Sequence, residues 1–132
     1  MDILVSNKGE DKGVTVFHIN GRINLGNAKQ LLDKAEQAIQ RGTKHLLLDL
    51  SGVESITSEG LRVIHVIYKT LSKISREGNQ TGPESKEDDQ SAKKPSLKLV
   101  NPSPYVSKVL KTAGFELFLD IHKDLEEAIA SF

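Results

Sequence analysis

The stretch His45-Leu46-Leu47-Leu48-Asp49-Leu50 is apolar on both of its alternating faces. A strand with one wet face alternates polar and apolar residues. A run this apolar is expected of a central strand covered on each side, the position strands take in α/β sheets. Helical patterns flank it. Upstream, Ala28, Leu31, Leu32, Ala35, Ala38 and Ile39 recur at spacings of three and four and share one face. Asn24 or Asn27 is placed to cap that helix, and Gly42 fits the residue beyond its end. Downstream, Leu61, Ile64, Ile67, Tyr68, Leu71 and Ile74 form a second stripe, widened by Val63 and Val66.

The remaining elements extend this helix–strand–helix unit. Ile3 to Val5 reads as a short edge strand. Val14 to Ile19 is rich in β-branched residues and reads as a strand ended by Asn20-Gly21. Ser51 to Thr57 reads as a loop, and Leu97 to Val100 as a strand. Ser103-Pro104 is a cap and first-turn pair, opening a helix with Val106, Val109, Leu110 and Ala113 inward and Gly114 at its end. Phe115 to Ile121 contains a short strand, and Leu125, Ala128, Ile129 and Phe132 form the apolar side of a last helix. The order is β-β-α-β-α-β-α-β-α. It predicts an α/β fold with a mixed sheet of about five strands and about four helices, the first two strands antiparallel and the others joined by helical crossovers. Residues 77–95 interrupt the pattern. Glycine, proline and charge dominate there, with too little apolar surface to offset ordering, so a disordered insertion in a single domain 1–132 is expected.

Composition narrows the function. The 132 residues carry a formal net charge of zero, without the basic excess that phosphate contacts demand, so no direct nucleic-acid binding is expected. There is no cysteine, which removes disulfides and thiol chemistry. No apolar stretch approaches the ~20 residues that span a bilayer, and the first residues lack the pattern of a secretory leader. A cytoplasmic protein without membrane insertion is expected.

Enzyme motifs are missing: no phosphate-wrapping Gly-rich Lys loop, no G-x-S-x-G elbow, no H-E-x-x-H pair. The histidines His18, His45, His65 and His122 fall on different elements, so no metal and no cofactor are expected. Asp49 lies near the end of the central strand, where α/β enzymes often keep an acid. With no evident partner, it reads as a structural acid bonded to the adjoining loop.

Thr57 and Ser58 sit where the second helix begins. From physics alone, one hydroxyl caps the free N–H groups of the first turn, worth ~1 kcal/mol. A phosphate placed there would also meet those donors and the positive end of the helix dipole.

Asp49-Leu50-Ser51-Gly52-Val53 followed by Ile56-Thr57-Ser58-Glu59-Gly60-Leu61-Arg62 resembles the signature of STAS domains, the sulfate-transporter and anti-sigma-factor-antagonist modules. Gly21-Arg22-Ile23-Asn24 fits as well, as does Leu99-Val100-Asn101 through Val109-Leu110 to Ala113-Gly114-Phe115. The resemblance implies an anti-sigma factor antagonist in a partner-switching pathway. Its partner would be an anti-sigma factor serine/threonine kinase, which phosphorylates the serine matched by Ser58; a phosphatase would reverse this. Gly60 matches the motif glycine. Thr57 and Asn24 stand where acids are common in the family, and both remove negative charge near Ser58 while Glu59 adds one. The expected docking surface is Arg22, Asn24, Thr57, Ser58, Glu59, Gly60 and Arg62, with no catalytic residue of its own. Two alternatives belong to other classes: a STAS subunit that scaffolds a transporter or sensory complex, and a small nucleotide- or lipid-binding carrier.

Overall fold

A computed structural model describes residues 1–8, 13–78 and 96–132. Its strands are β1 (Asp2–Lys8), β2 (Val14–Ile23), β3 (His45–Ile56), β4 (Ser96–Val100) and β5 (Asp120–His122). Its helices are α1 (Ala28–Gln40), α2 (Ser58–Gly78), α3 (Pro104–Thr112) and α4 (Leu125–Ala130), with a 3₁₀ turn at Phe115–Leu117. The sheet order is β1-β2-β3-β4-β5; β1 and β2 are antiparallel and the other neighbours parallel. The expected mixed sheet is therefore present.

The two faces of β3 explain its composition. Leu46, Leu48 and Leu50 join Phe17, Ile19 and Leu99 in a core beneath α1, α2 and α3. Leu47 joins Val14, Val16 and Val100 on the reverse face, where Ala128 of α4 and Phe132 cover them. Among the described residues three helices thus pack on one side, and the short α4 packs on the other. His45 is buried at the foot of β3 with its ring 5.2 Å from Phe132.

Three expectations of extent are corrected. β1 runs from Asp2 to Lys8, because β2 offers seven partners from Asn20 to Val14. Asn20-Gly21 does not end β2, and residues 51–56 are strand and not loop. The two extensions pair with each other, Asn20 with Gly52 and Ile23 with Ile56, across register shifts at His18/Asn20 and Gly21/Arg22. Glycine permits this. Gly21 has φ +103°, and a Cβ on Gly52 would run into the Asn20 side chain. Residues 79–95 of the expected insertion lie outside the described residues.

Candidate functional site

The paired extensions carry the ends of β2 and β3 to one place. There the Thr57 N–H donates to the Ile23 carbonyl at 2.9 Å, and the Thr57 hydroxyl leans on the same oxygen at 3.4 Å. Leu61 N–H then bonds the Thr57 carbonyl at 3.0 Å and starts α2. The expected hydroxyl cap is thus not formed by Thr57, whose oxygen is engaged across the strands. Ser58, the first residue of α2, is exposed. Among the described residues nothing hydrogen-bonds its Oγ, so the hydroxyl is open to a reacting partner.

Gly60 fixes how closely α2 sits on the sheet. It is buried, and a Cβ there would fall 2.7 Å from Ile23 Cγ2 and 2.7 Å from Ile56 Cγ1. The first turn of α2 therefore rests directly on the two strand ends, with Ser58 and Glu59 just ahead of the contact.

Asn24 and Asn27 both serve the turn between β2 and α1, though neither side chain caps α1. Asn24 Oδ1 accepts from Gly26 N–H and Asn27 Oδ1 from Asn24 N–H, each at 2.9 Å. Asn27 Nδ2 reaches back to the Arg22 carbonyl at 2.8 Å. The Asn24 carbonyl accepts the Ala28 N–H at 2.8 Å and takes over the start of the helix. Side-chain-to-backbone bonds of this kind are why Asn is favoured in such turns. Asn24 thereby shapes the rim of the site.

The charged members form two separate pairs. Arg62 Nε meets Glu59 Oε1 at 2.7 Å one turn along α2. Arg22 Nε meets Glu54 Oε1 at 3.4 Å, with both side chains about 70% exposed, a pair that contributes little to stability. A groove of about 360 Å³ lies between α1 and α2, lined by Leu25, Ala28, Lys29, Leu32, Glu59, Arg62 and Val63. Arg22 is not in that lining. Sequence reasoning missed Leu25 and Lys29. The available signal was Leu25 itself, an apolar residue between Asn24 and Gly26, off the α1 stripe; it is 74% exposed beside the groove.

Asp49 stands away from this surface. Its carboxylate accepts the Ser51 N–H at 3.0 Å, as expected of an acid tied to the adjoining chain. Contrary to the sequence reading it has a second partner, His18, whose Nδ1 lies 2.8 Å from Oδ2. The pair was invisible in sequence because 31 residues separate the two, and the parallel register sets them side by side.

Comparison with known proteins bears on the whole arrangement. The family model for the STAS domain matches residues 6–77. The chain is 26% identical over 120 residues to a Bordetella bronchiseptica protein named as anti-sigma factor antagonist BtrV, covering 91% of this chain and 87% of that one. In structure it is similar to an anti-sigma factor antagonist from Thermotoga maritima, with TM-score 0.75, 23% identity, and 98% and 92% of the two chains covered. It is also similar to the phosphorylated form of the Bacillus cell fate determinant SpoIIAA, with TM-score 0.63, 17% identity, and 97% and 98% covered. Among the described residues no helix is long and apolar enough to cross a membrane.

Proposed function

Because the chain belongs to the STAS domain family, we propose that it is an anti-sigma factor antagonist whose docking to an anti-sigma factor serine/threonine kinase is switched by phosphorylation of Ser58. The observation that carries this reading is the state of Ser58: an exposed hydroxyl with no hydrogen-bond partner among the described residues, on the first residue of a long helix, beside a groove with an apolar wall and a charged rim. A kinase needs a serine it can reach, and this one costs no structural bond to modify.

The physical consequence follows from charge. A phosphate adds about −1.5 to −2 charges and three acceptor oxygens. At a helix N-terminus the unpaired N–H groups and the dipole accommodate an anion, so the fold survives. At the docking face the same charge stands next to Glu59 and must be desolvated if the kinase is to bind, so the complex weakens. Removal of the phosphate by a phosphatase restores it. In this reading Leu25, Leu32 and Val63 supply apolar contact, Arg62 and Arg22 supply charge, and Asn24, Thr57 and Gly60 hold the surface in shape. This surface is then a substrate and a ligand of the kinase.

Binding of an anti-sigma factor serine kinase from the same organism, measured by calorimetry with wild type and Ser58→Asp, tests the reading. Tight binding by wild type and loss on Ser58→Asp are expected, with the kinase-dependent phosphate mapped to Ser58 by mass spectrometry. Equal affinities, or a phosphate elsewhere, would overturn it.

A further inference from the structure

The sheet face that carries α4 holds a second chemical grouping, independent of the docking surface. His18 lies directly opposite Asp49 in the β2–β3 register and opposite Leu4 in the β1–β2 register. Ser6 is two residues along β1 from Leu4, so side chains from three strands meet on one face. His18 Nδ1 is 2.8 Å from Asp49 Oδ2, and His18 Nε2 is 3.1 Å from Ser6 Oγ. Asp49 Oδ1 is held in turn by the Ser51 N–H at 3.0 Å.

The protons can be placed by elimination. Burial opposes ionisation of Asp49, but the Ser51 N–H and His18 outweigh it and hold the carboxyl below the usual carboxylate range. Asp49 is therefore an acceptor only near neutral pH, and the neutral imidazole must present Nδ1–H to it. That leaves the Nε2 lone pair facing Ser6, whose O–H donates. Hydroxyl, imidazole and carboxylate stand in the order that activates a serine nucleophile, with the carboxylate fixing the tautomer.

Exposure separates this grouping from a structural network. α4 covers Val14, Val16, Leu47 and Val100 but not this end of the face. The His18 side chain is 26% exposed and Asp49 14%, and Leu4 beside them is 68% exposed. β1 is the edge strand of the described sheet, which places the grouping at the sheet margin. A second Ser–His–carboxylate contact, Ser131–His122–Glu127, has the same order of atoms, with Ser131 Oγ 3.3 Å from His122 Nε2, but not the same bonds. Ser131 Oγ donates to the Ala128 carbonyl at 2.7 Å, and Glu127 is 3.8 Å from its histidine.

We infer that Ser6, His18 and Asp49 form a nucleophilic relay that takes small activated esters with a short apolar acyl group, which Leu4 contacts. Ser6 Oγ bonds to the acyl carbon as the ester C–O bond breaks. The Ser6 proton passes to His18 Nε2 and then to the departing alkoxide. Water, deprotonated by His18, hydrolyses the acyl-serine and restores the hydroxyl.

Incubation of the full chain with p-nitrophenyl acetate, or with a fluorophosphonate, tests this by peptide mapping and by release of p-nitrophenol. An adduct on Ser6 is expected, formed at least ~100-fold more slowly in His18→Gln, the scale of general-base assistance. Ser6→Ala should abolish the adduct without shifting the melting temperature or the affinity for the kinase. If His18→Gln does not fold, Asp49→Asn, which removes the carboxylate that fixes the His18 tautomer, decides, and a loss of rate on the same scale is expected. Absence of a Ser6 adduct in the folded protein, or labelling of folded His18→Gln or Asp49→Asn as fast as wild type, would each overturn the inference.

Discussion

The Thr57 N–H donates to the Ile23 carbonyl at 2.9 Å, so the first residue before α2 is tied to the last residue of β2. This one bond sets the exposed Ser58 at the junction of two strands and two helices, and it gives the proposed docking surface a rigid base.

Gly60→Ala should destabilise the domain by about 1–3 kcal/mol, as overpacking does. The added methyl would stand 2.7 Å from both Ile23 Cγ2 and Ile56 Cγ1, and neither branched side chain can leave the core cheaply. Urea denaturation with an unchanged slope and a lowered midpoint would confirm it; an unchanged midpoint would show that α2 can slide.

Ser58→Ala should leave stability within about 0.5 kcal/mol, below the ~1 kcal/mol that loss of a hydroxyl cap costs. The reason is that no described group hydrogen-bonds Ser58 Oγ. Thermal melting of the two proteins side by side measures this, and a drop of several degrees would mean that the hydroxyl caps α2 in solution.

Arg62→Ala and Arg22→Ala should each weaken kinase binding, by about tenfold if the arginine is an anchor, with little change in melting temperature. Their partners Glu59 and Glu54 sit in exposed pairs, which rarely stabilise a fold. Leu48→Ala should do the reverse. Leu48 is fully buried beneath the helices, so about 2–5 kcal/mol of stability is lost. Calorimetric titration and denaturation on the same samples separate the two effects.

Asp49→Asn should narrow the pH dependence of stability on the acid side. The folded-state carboxyl ionises below its ordinary range, so its contribution is complete above about pH 4 and is lost as pH falls through the lowered value. Melting curves of wild type and variant should therefore differ most near neutrality and converge on acidification. A constant difference down to pH 2 would contradict the proton assignment made for His18 and Ser6.

Much of this could be read along the chain because its causes are local. The six apolar positions of α1, and the double-faced run of β3, follow from helical and strand periodicity and predicted the layers correctly. So did the placement of Ser58 at a helix start, since a polar turn preceding an apolar stripe marks that boundary wherever it occurs. What local patterning could not supply were relations between residues far apart in sequence. The continuation of β2 and β3 through Ile23 and Ile56 depends on two strands that support each other's irregular pairing; alone, each segment reads as a loop. The engagement of the Thr57 hydroxyl with Ile23, the Leu25-lined groove, and above all the meeting of Ser6, His18 and Asp49 exist only because register brings three strands into line. Sequence determined which residues form strands and helices and which face is apolar, because those choices rest on side-chain spacing. Tertiary structure alone decided which polar atoms meet, because hydrogen bonds act over about 3 Å and only the folded sheet sets such distances.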